Sequence, residues 1–191
     1  MPLYDGPVVD SHHHLFWNLT ENYPWMSQPM RPMIFGDDWS GLKREYSIDD
    51  LKADFATHNV VKSVHVQANF DTTRPVDETA GLQGFADDHG FPNGIVGHAD
   101  LTGPNLEAIL DGHMSHANTR GIRQQVYWHP QNENWRFVGR PDFCLSTSFR
   151  RGLSILSGKG LTFDFQGFAS QFAHLAMLAR ECSSLKICLV H

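Results

Sequence analysis

The stretch VVDSHHHL, at residues 8–15, sets the start of the predicted fold. Two β-branched valines open it, as is typical of a buried strand. Because successive side chains of a strand point to opposite faces, His12 and His14 share one face, with Asp10, while His13 takes the other. Two imidazoles directed at one point provide half of a zinc-type site. The stretch therefore predicts a strand that carries functional histidines.

Three consecutive histidines near an N-terminus are also typical of a purification tag or of an exposed histidine cluster. Here, however, the run follows two valines and leads into the apolar residues Leu15, Phe16 and Trp17. The D-x-H-x-H spacing inside an apolar strand favours the functional interpretation, with His13 in a structural role.

Composition and charge narrow the class of protein. The chain has 191 residues, 41% of them hydrophobic, which predicts one globular domain over residues 1–191. A net charge of −6 without a basic run argues against nucleic acid or an anionic membrane as partner. The three cysteines form no C-x-x-C pair, which indicates free thiols in a reducing compartment. We expect no signal peptide, no membrane span, a cytoplasmic location, a small-molecule substrate and an ability to form a homo-oligomer.

Strand-like and helical segments alternate along the chain. Apolar runs predict six strands, at 8–15, 60–68, 94–100, 120–127, 161–166 and 185–190. Amphipathic runs predict helices between them, at about 47–58, 76–89, 104–114, 147–156 and 169–181. This order is typical of parallel strands joined by crossover helices. The long aromatic loop 16–46 is expected to form a wall or lid over the site, or else to pack on the outside of the domain.

Several of these segments together resemble one known family. The opening at residues 9–17, followed by Tyr23-Pro24-Trp25, is similar to the start of the amidohydrolase superfamily. More narrowly, it resembles the amidohydrolase-related branch that holds sugar-lactone and dicarboxylate-lactone hydrolases. Further stretches fit the same branch, at residues 63–68, 94–101, 120–124, 161–166 and 187–191. The resemblance implies a TIM-type (β/α)8 barrel with its site at the C-terminal ends of the strands.

The resemblance also implies roles for individual residues. His12 and His14 correspond to metal ligands on the first strand, and His191 to the histidine that ends the sixth. All three are candidates for catalysis, with one divalent metal, zinc or manganese, or without any metal. Arg123 is expected to bind the carboxylate or carbonyl side of the substrate, and Gln67 and Trp25 to contact it as well. Arg123 has an alternative as a structural ion pair, and His191 as a frayed chain end.

The sequence departs from the pattern of the family in two ways. It provides six predicted strands where the family barrel has eight, and it lacks the aspartate expected after the eighth strand. We therefore expect the chain to form the first three-quarters of a barrel. Asp164 and Gln166 stand where many relatives carry a fifth-strand histidine, and the fourth strand has no lysine to bridge two metals. A two-metal site is not expected.

The leading functional prediction is hydrolysis of a lactone or a similar C–O or C–N bond at a carbonyl group. A metal, or the imidazoles and Arg123 alone, would polarise the carbonyl for attack by water. A non-oxidative decarboxylase on the same scaffold is the second prediction. The third is a truncated chain without catalytic activity.

Overall fold

The computed structural model describes residues 4–29, 33 and 36–191. One sheet of six parallel strands lies at its centre, and each strand pairs with its successor in the chain. The strands are β1 (Val8–His13), β2 (Val60–Val66), β3 (Gly94–His98), β4 (Thr119–Gln125), β5 (Thr162–Gln166) and β6 (Ile187–Leu189). The predicted strand order is confirmed, and the curled sheet forms part of a TIM-type barrel.

Helices follow the strands on the outside of the curl. They are α1 (Leu19–Asn22), α2 (Pro24–Ser27), α3 (Ile48–Phe55), α4 (Asp77–His89), α5 (Leu106–Met114), α6 (Thr147–Gly158) and α7 (Phe172–Glu181). Short 3-10 turns lie at Ser40–Leu42, Glu133–Trp135, Phe143–Leu145 and Ala169–Gln171. None of these helices has the length and apolar character needed to cross a membrane.

Local signals in the sequence set the ends of two helices. The Ser47 side chain accepts a hydrogen bond from the Asp50 backbone N–H at 3.1 Å, and the Asp50 carboxylate accepts one from the Ser47 N–H at 2.8 Å. This capping box satisfies backbone donors at the start of α3. Gly90 ends α4 at a φ of 81°, a left-handed conformation that glycine adopts without a side-chain clash. Both ends agree with the predicted helices.

The register of the sheet separates an apolar face from a polar one. Ile122 on β4 lies beside Phe163 on β5, and both are fully buried under the helices. One position further, Arg123 lies beside Asp164 and, on the other side, beside His98. Because neighbours in register point to the same side, these polar residues face the inside of the curl. The apolar core thus lies between sheet and helices, and the polar face remains for a site.

The apolar residues of α7 predict a buried face of Phe172, Leu175, Ala176 and Leu178, and this prediction was partly wrong. Leu178 is fully buried, but Phe172 is 36% exposed and Ala176 is also exposed. On α4 the sequence pattern predicts Ala80 and Phe85 as inward residues, but Ala80 is exposed, whereas Glu78 and Leu82 are buried. Periodicity identifies an amphipathic helix, but the neighbours present in the fold decide which flank of its apolar stripe is covered.

Candidate active site

A cavity of about 980 Å³ opens at the C-terminal ends of the strands. One wall comes from the loop after β1, which includes Phe16 and Trp25 and therefore forms part of the enclosure, as predicted. The opposite wall carries aromatic residues that follow β4 and β5: Tyr127, Phe137, Phe168 and Phe172. Eight polar residues also line the cavity: His14, Asn69, Asp71, Thr72, Arg123, Gln125, Gln166 and His191. A concave, largely aromatic enclosure with a few polar groups is typical of a small-molecule site.

The three predicted site histidines, His12, His14 and His191, lie together. The His12 ring is 5.1 Å from that of His14 and 4.9 Å from that of His191, measured between ring centroids. His13 points elsewhere and lies 3.0 Å from the Ser63 hydroxyl, in agreement with the predicted alternation. His14 and His191 line the cavity, while His12 lies behind them and contacts both rings. Side chains from the two edge strands of the sheet thus meet at one point.

Asp10 does not join this group. The pairing of β1 with β2 is irregular between Asp10 and His13, and Asp10 lies in register with Ser63. Its carboxylate accepts a hydrogen bond from the His12 backbone N–H at 3.3 Å. The expected shared face with His12 was wrong, because an irregularity in the strand breaks the simple alternation of side chains.

Burial keeps the cavity histidines neutral. Burial, together with the charges of Arg123 and His191, lowers the pKa of His12 from 6.5 to about 4. Burial also holds the pKa of His14 well below its ordinary value. His14 Nδ1 lies 2.7 Å from the Val66 carbonyl oxygen, which can only accept, so Nδ1 carries the proton. The other ring nitrogen, Nε2, therefore retains its lone pair.

Arg123 is a buried cation without an ion pair, since the buried Asp164, its neighbour in register, lies beyond ion-pair distance in the described structure. It is 3% exposed, and one guanidinium nitrogen donates to the Gln67 carbonyl, while its Nε has no partner. In the described part of the chain no carboxylate lies within ion-pair distance of it. Burial lowers its pKa to about 10, so it remains charged at neutral pH. The alternative of a structural ion pair finds no support among these residues.

The two remaining predicted contacts differ. Trp25 lines the cavity, and its indole N–H donates to the Ala68 carbonyl at 3.2 Å. Gln67 does not line it: the side chain is 1% exposed, and its amide oxygen accepts from the Asn69 backbone N–H at 2.6 Å. Gln67 contributes through its backbone carbonyl, which holds Arg123. The Gln67 side chain is bonded within a local turn and does not reach the cavity. The fold therefore does not provide the predicted contact between this side chain and the substrate.

Sequence reasoning missed Glu78. This residue on α4 is 1% exposed, and its Oε1 accepts the Ala68 backbone N–H at 2.9 Å. Burial raises its pKa from 4.5 to about 7. An acidic residue in the first turn of a helix ordinarily interacts with the helix dipole in water, so the sequence carries no signal that this one is buried.

The donors as placed do not complete a metal site. Within the described residues, no group of three or more His, Cys, Asp or Glu side chains is arranged to hold a metal ion. The charge of Arg123 also acts on His12, His14 and His191, which opposes a cation at their centre. One observation favours a bound ligand at this point. The His12 Nε2 is buried without a hydrogen-bond partner, so a bound molecule or ion could supply one.

The chain matches known proteins over nearly its whole length. The family profile described as Amidohydrolase matches residues 9–191. An uncharacterized protein, y4mH, of Sinorhizobium fredii is 40% identical over 188 residues, which cover 98% of this chain and 62% of that protein. The chain therefore spans less than two thirds of the length of this curated relative.

Solved structures support the same fold. An amidohydrolase of Burkholderia multivorans with bound zinc superposes with a TM-score of 0.71 at 23% identity, over 95% of this chain and 56% of the other. A protein of Acinetobacter baumannii with bound citric acid, described as a "probable 2-pyrone-4,6-dicarboxylic acid hydrolase", gives a TM-score of 0.61 at 10% identity. That match covers 94% of this chain and 56% of the other.

Proposed function

Because the chain belongs to the amidohydrolase family, we propose that its cavity is the site of a hydrolase that opens a lactone or related ester bearing a carboxylate group. Arg123 and His14 act at the reacting carbonyl, and His12 and His191 complete the polar group around it. Trp25 contacts the body of the substrate. The name of the Acinetobacter protein of the same fold, "probable 2-pyrone-4,6-dicarboxylic acid hydrolase", agrees with this class of substrate.

The observation that carries the proposal is the unpaired charge of Arg123. An isolated buried guanidinium is costly unless an anion compensates it. Arg123 lines the cavity without a carboxylate within ion-pair distance in the described structure, so an anionic group of the substrate is a suitable partner. The same guanidinium can stabilise the oxyanion that forms when water adds to the carbonyl.

His14 is suited to accept a proton from the attacking water. Its Nδ1–H is held by the Val66 carbonyl, and its Nε2 lone pair belongs to a ring that lines the cavity. As the water oxygen bonds to the carbonyl carbon, its proton passes to this nitrogen. The carbon–oxygen bond of the ester then breaks, and the imidazolium returns the proton to the leaving oxygen, which gives a hydroxy acid and neutral His14. The Val66 carbonyl stabilises the imidazolium formed meanwhile.

Hydrolysis by the purified 191-residue chain tests the proposal. Carboxylated and uncarboxylated lactones are supplied, and acid release is followed with a pH indicator. We expect turnover of the carboxylated compounds that His14→Ala abolishes and that His13→Ala, the adjacent imidazole on the other face, leaves intact. Release of carbon dioxide would identify a decarboxylase instead. A folded chain without turnover of any compound would support the catalytically inactive alternative.

Metal binding by His12, His14 and His191 stays a prediction with a separate test. The chain is stripped with a chelator, incubated with zinc or manganese, and analysed for bound metal. If these residues bind metal, His12→Ala lowers the bound fraction far more than His13→Ala does. Equal effects of the two substitutions would assign any bound metal to another place.

A further inference from the structure

Three consecutive carbonyl groups at the end of β2 hold three side chains of the site. The Val66 carbonyl accepts from His14 at 2.7 Å, the Gln67 carbonyl from Arg123, and the Ala68 carbonyl from the Trp25 indole at 3.2 Å. The position of this short segment therefore sets the orientation of an imidazole, a guanidinium and an aromatic wall at once.

Glu78 holds this segment from the side of the helices. Its Oε1 accepts the Ala68 backbone N–H at 2.9 Å, and its carboxylate is 1% exposed. Without this acceptor the buried Ala68 N–H would lack a hydrogen bond, since the strand pairing to β3 ends before it.

The same carboxylate also reaches the end of β1. His65 Nδ1 accepts the Leu15 backbone N–H at 3.1 Å, so the neutral ring carries its proton on Nε2. That nitrogen lies 3.5 Å from the Glu78 Oε1, in contact with it but without the geometry of a hydrogen bond. Leu15 directly follows His14 in the chain. Glu78 therefore bonds the Ala68 amide directly and packs against His65, whose ring holds the Leu15 amide at the end of β1.

We propose that Glu78 is a positioning residue, which fixes the two strand ends that orient His14, Arg123 and Trp25. A buried carboxylate costs more than an apolar residue of the same size, and its Oε2 has no partner in the described structure. Packing alone does not account for a glutamate here, but a directional acceptor for the Ala68 amide does. The value of this role to catalysis rests on the proposed function, whereas the positioning itself can be measured without any substrate.

Nuclear magnetic resonance of the whole chain tests the proposal. The exchange rate of the Trp25 indole proton reports its bond to Ala68, and the nitrogen shifts of His14 report its tautomer. Trp25→Phe assigns the indole signal among the five tryptophans. We expect Glu78→Ala to increase the indole exchange rate about tenfold, the factor of one ordinary hydrogen bond, and to mix the His14 tautomers. Glu78→Gln, which keeps an oxygen acceptor, restores both signals.

Controls separate positioning from a general loss of stability. Glu107→Gln changes an exposed glutamate on α5 and leaves both signals unchanged. If Glu78→Ala lowers the melting temperature but leaves both signals as in the parent chain, Glu78 is structural and the proposal is overturned. If Glu78→Ala does not fold, Glu78→Asp, which withdraws the carboxylate by one methylene, must disturb the signals more than Glu78→Gln. The opposite order also overturns the proposal. Neither result depends on whether the chain hydrolyses a lactone.

Discussion

Two polar groups on opposite faces of the same sheet show how differently this fold treats histidine. On the helix side, His113 bonds through both ring nitrogens, to the Thr79 hydroxyl at 2.8 Å and to the His98 carbonyl at 2.9 Å. On the cavity side, His12 has an unpartnered Nε2, and Arg123 an unpartnered Nε. His113 and Arg123 are both buried, so burial does not distinguish the two groups.

The difference lies in whether the hydrogen-bonding capacity is used within the fold. A fully bonded buried histidine rigidifies the structure, whereas free nitrogens beside a cavity remain for a ligand. On this basis, substitutions on the cavity side should impair binding with little loss of stability, and substitutions on the helix side should do the reverse.

The largest expected effect is on the cavity side. Arg123→Gln removes a buried unpaired charge, so the free energy of unfolding should stay the same or rise. Binding of a carboxylate probe such as benzoate should weaken about hundredfold, as when one partner of a buried charge pair is lost. Calorimetry and urea denaturation measure the two quantities. A marked loss of stability with unchanged probe binding would return Arg123 to a structural role.

The next effect is on the helix side. A Cβ at Gly97 would lie 2.6 Å from His113 Cε1 and 3.1 Å from the Thr79 hydroxyl oxygen. Because both groups are held by buried hydrogen bonds, Gly97→Ala should destabilise the chain by about 2 kcal/mol, as overpacked substitutions do. The matched control is Gly84→Ala on α4, where nothing lies within 4 Å of the added atom. That change should stabilise the helix by about 0.5–1 kcal/mol.

Urea unfolding decides between these outcomes. If Gly97→Ala proves neutral, His113 can move without cost, and the helix-side group is less rigid than its bonds indicate.

The smallest effect concerns pH. The pKa of His12 is about 4 in the fold, below its ordinary value of 6.5, so the unfolded chain binds the extra proton first. Its contribution to stability is therefore present above pH 6.5 and is lost as the pH falls towards 4. His12→Asn should flatten the pH dependence of the unfolding free energy in this window. His58→Asn, at an exposed histidine, is the control and should leave the slope unchanged. If the unfolding free energy of the parent chain, of His12→Asn and of His58→Asn all depended on pH with the same slope, His12 would not be buried in its neutral form.

Local sequence patterns were sufficient for much of the fold. β-branched runs separated by amphipathic segments predict six parallel strands with crossover helices, and all six are present in the described structure. Ser47 and Gly90 mark helix ends through contacts within a few residues. The two-residue period of a strand places His12 and His14 together and His13 apart, because that period depends only on the backbone.

Tertiary structure decided the rest of the site. The curl of the sheet brings His191 at one edge to 4.9 Å from His12 at the other, across nearly the whole sequence. An irregular register pairs Asp10 with Ser63, so its carboxylate bonds the His12 backbone, and the fold buries Glu78 and leaves Arg123 without an ion pair in the described residues. The sequence by itself determined which residues alternate and where elements begin and end. Sheet curvature, register and the neighbours of each buried charge depend on contacts between distant segments, which no local pattern encodes.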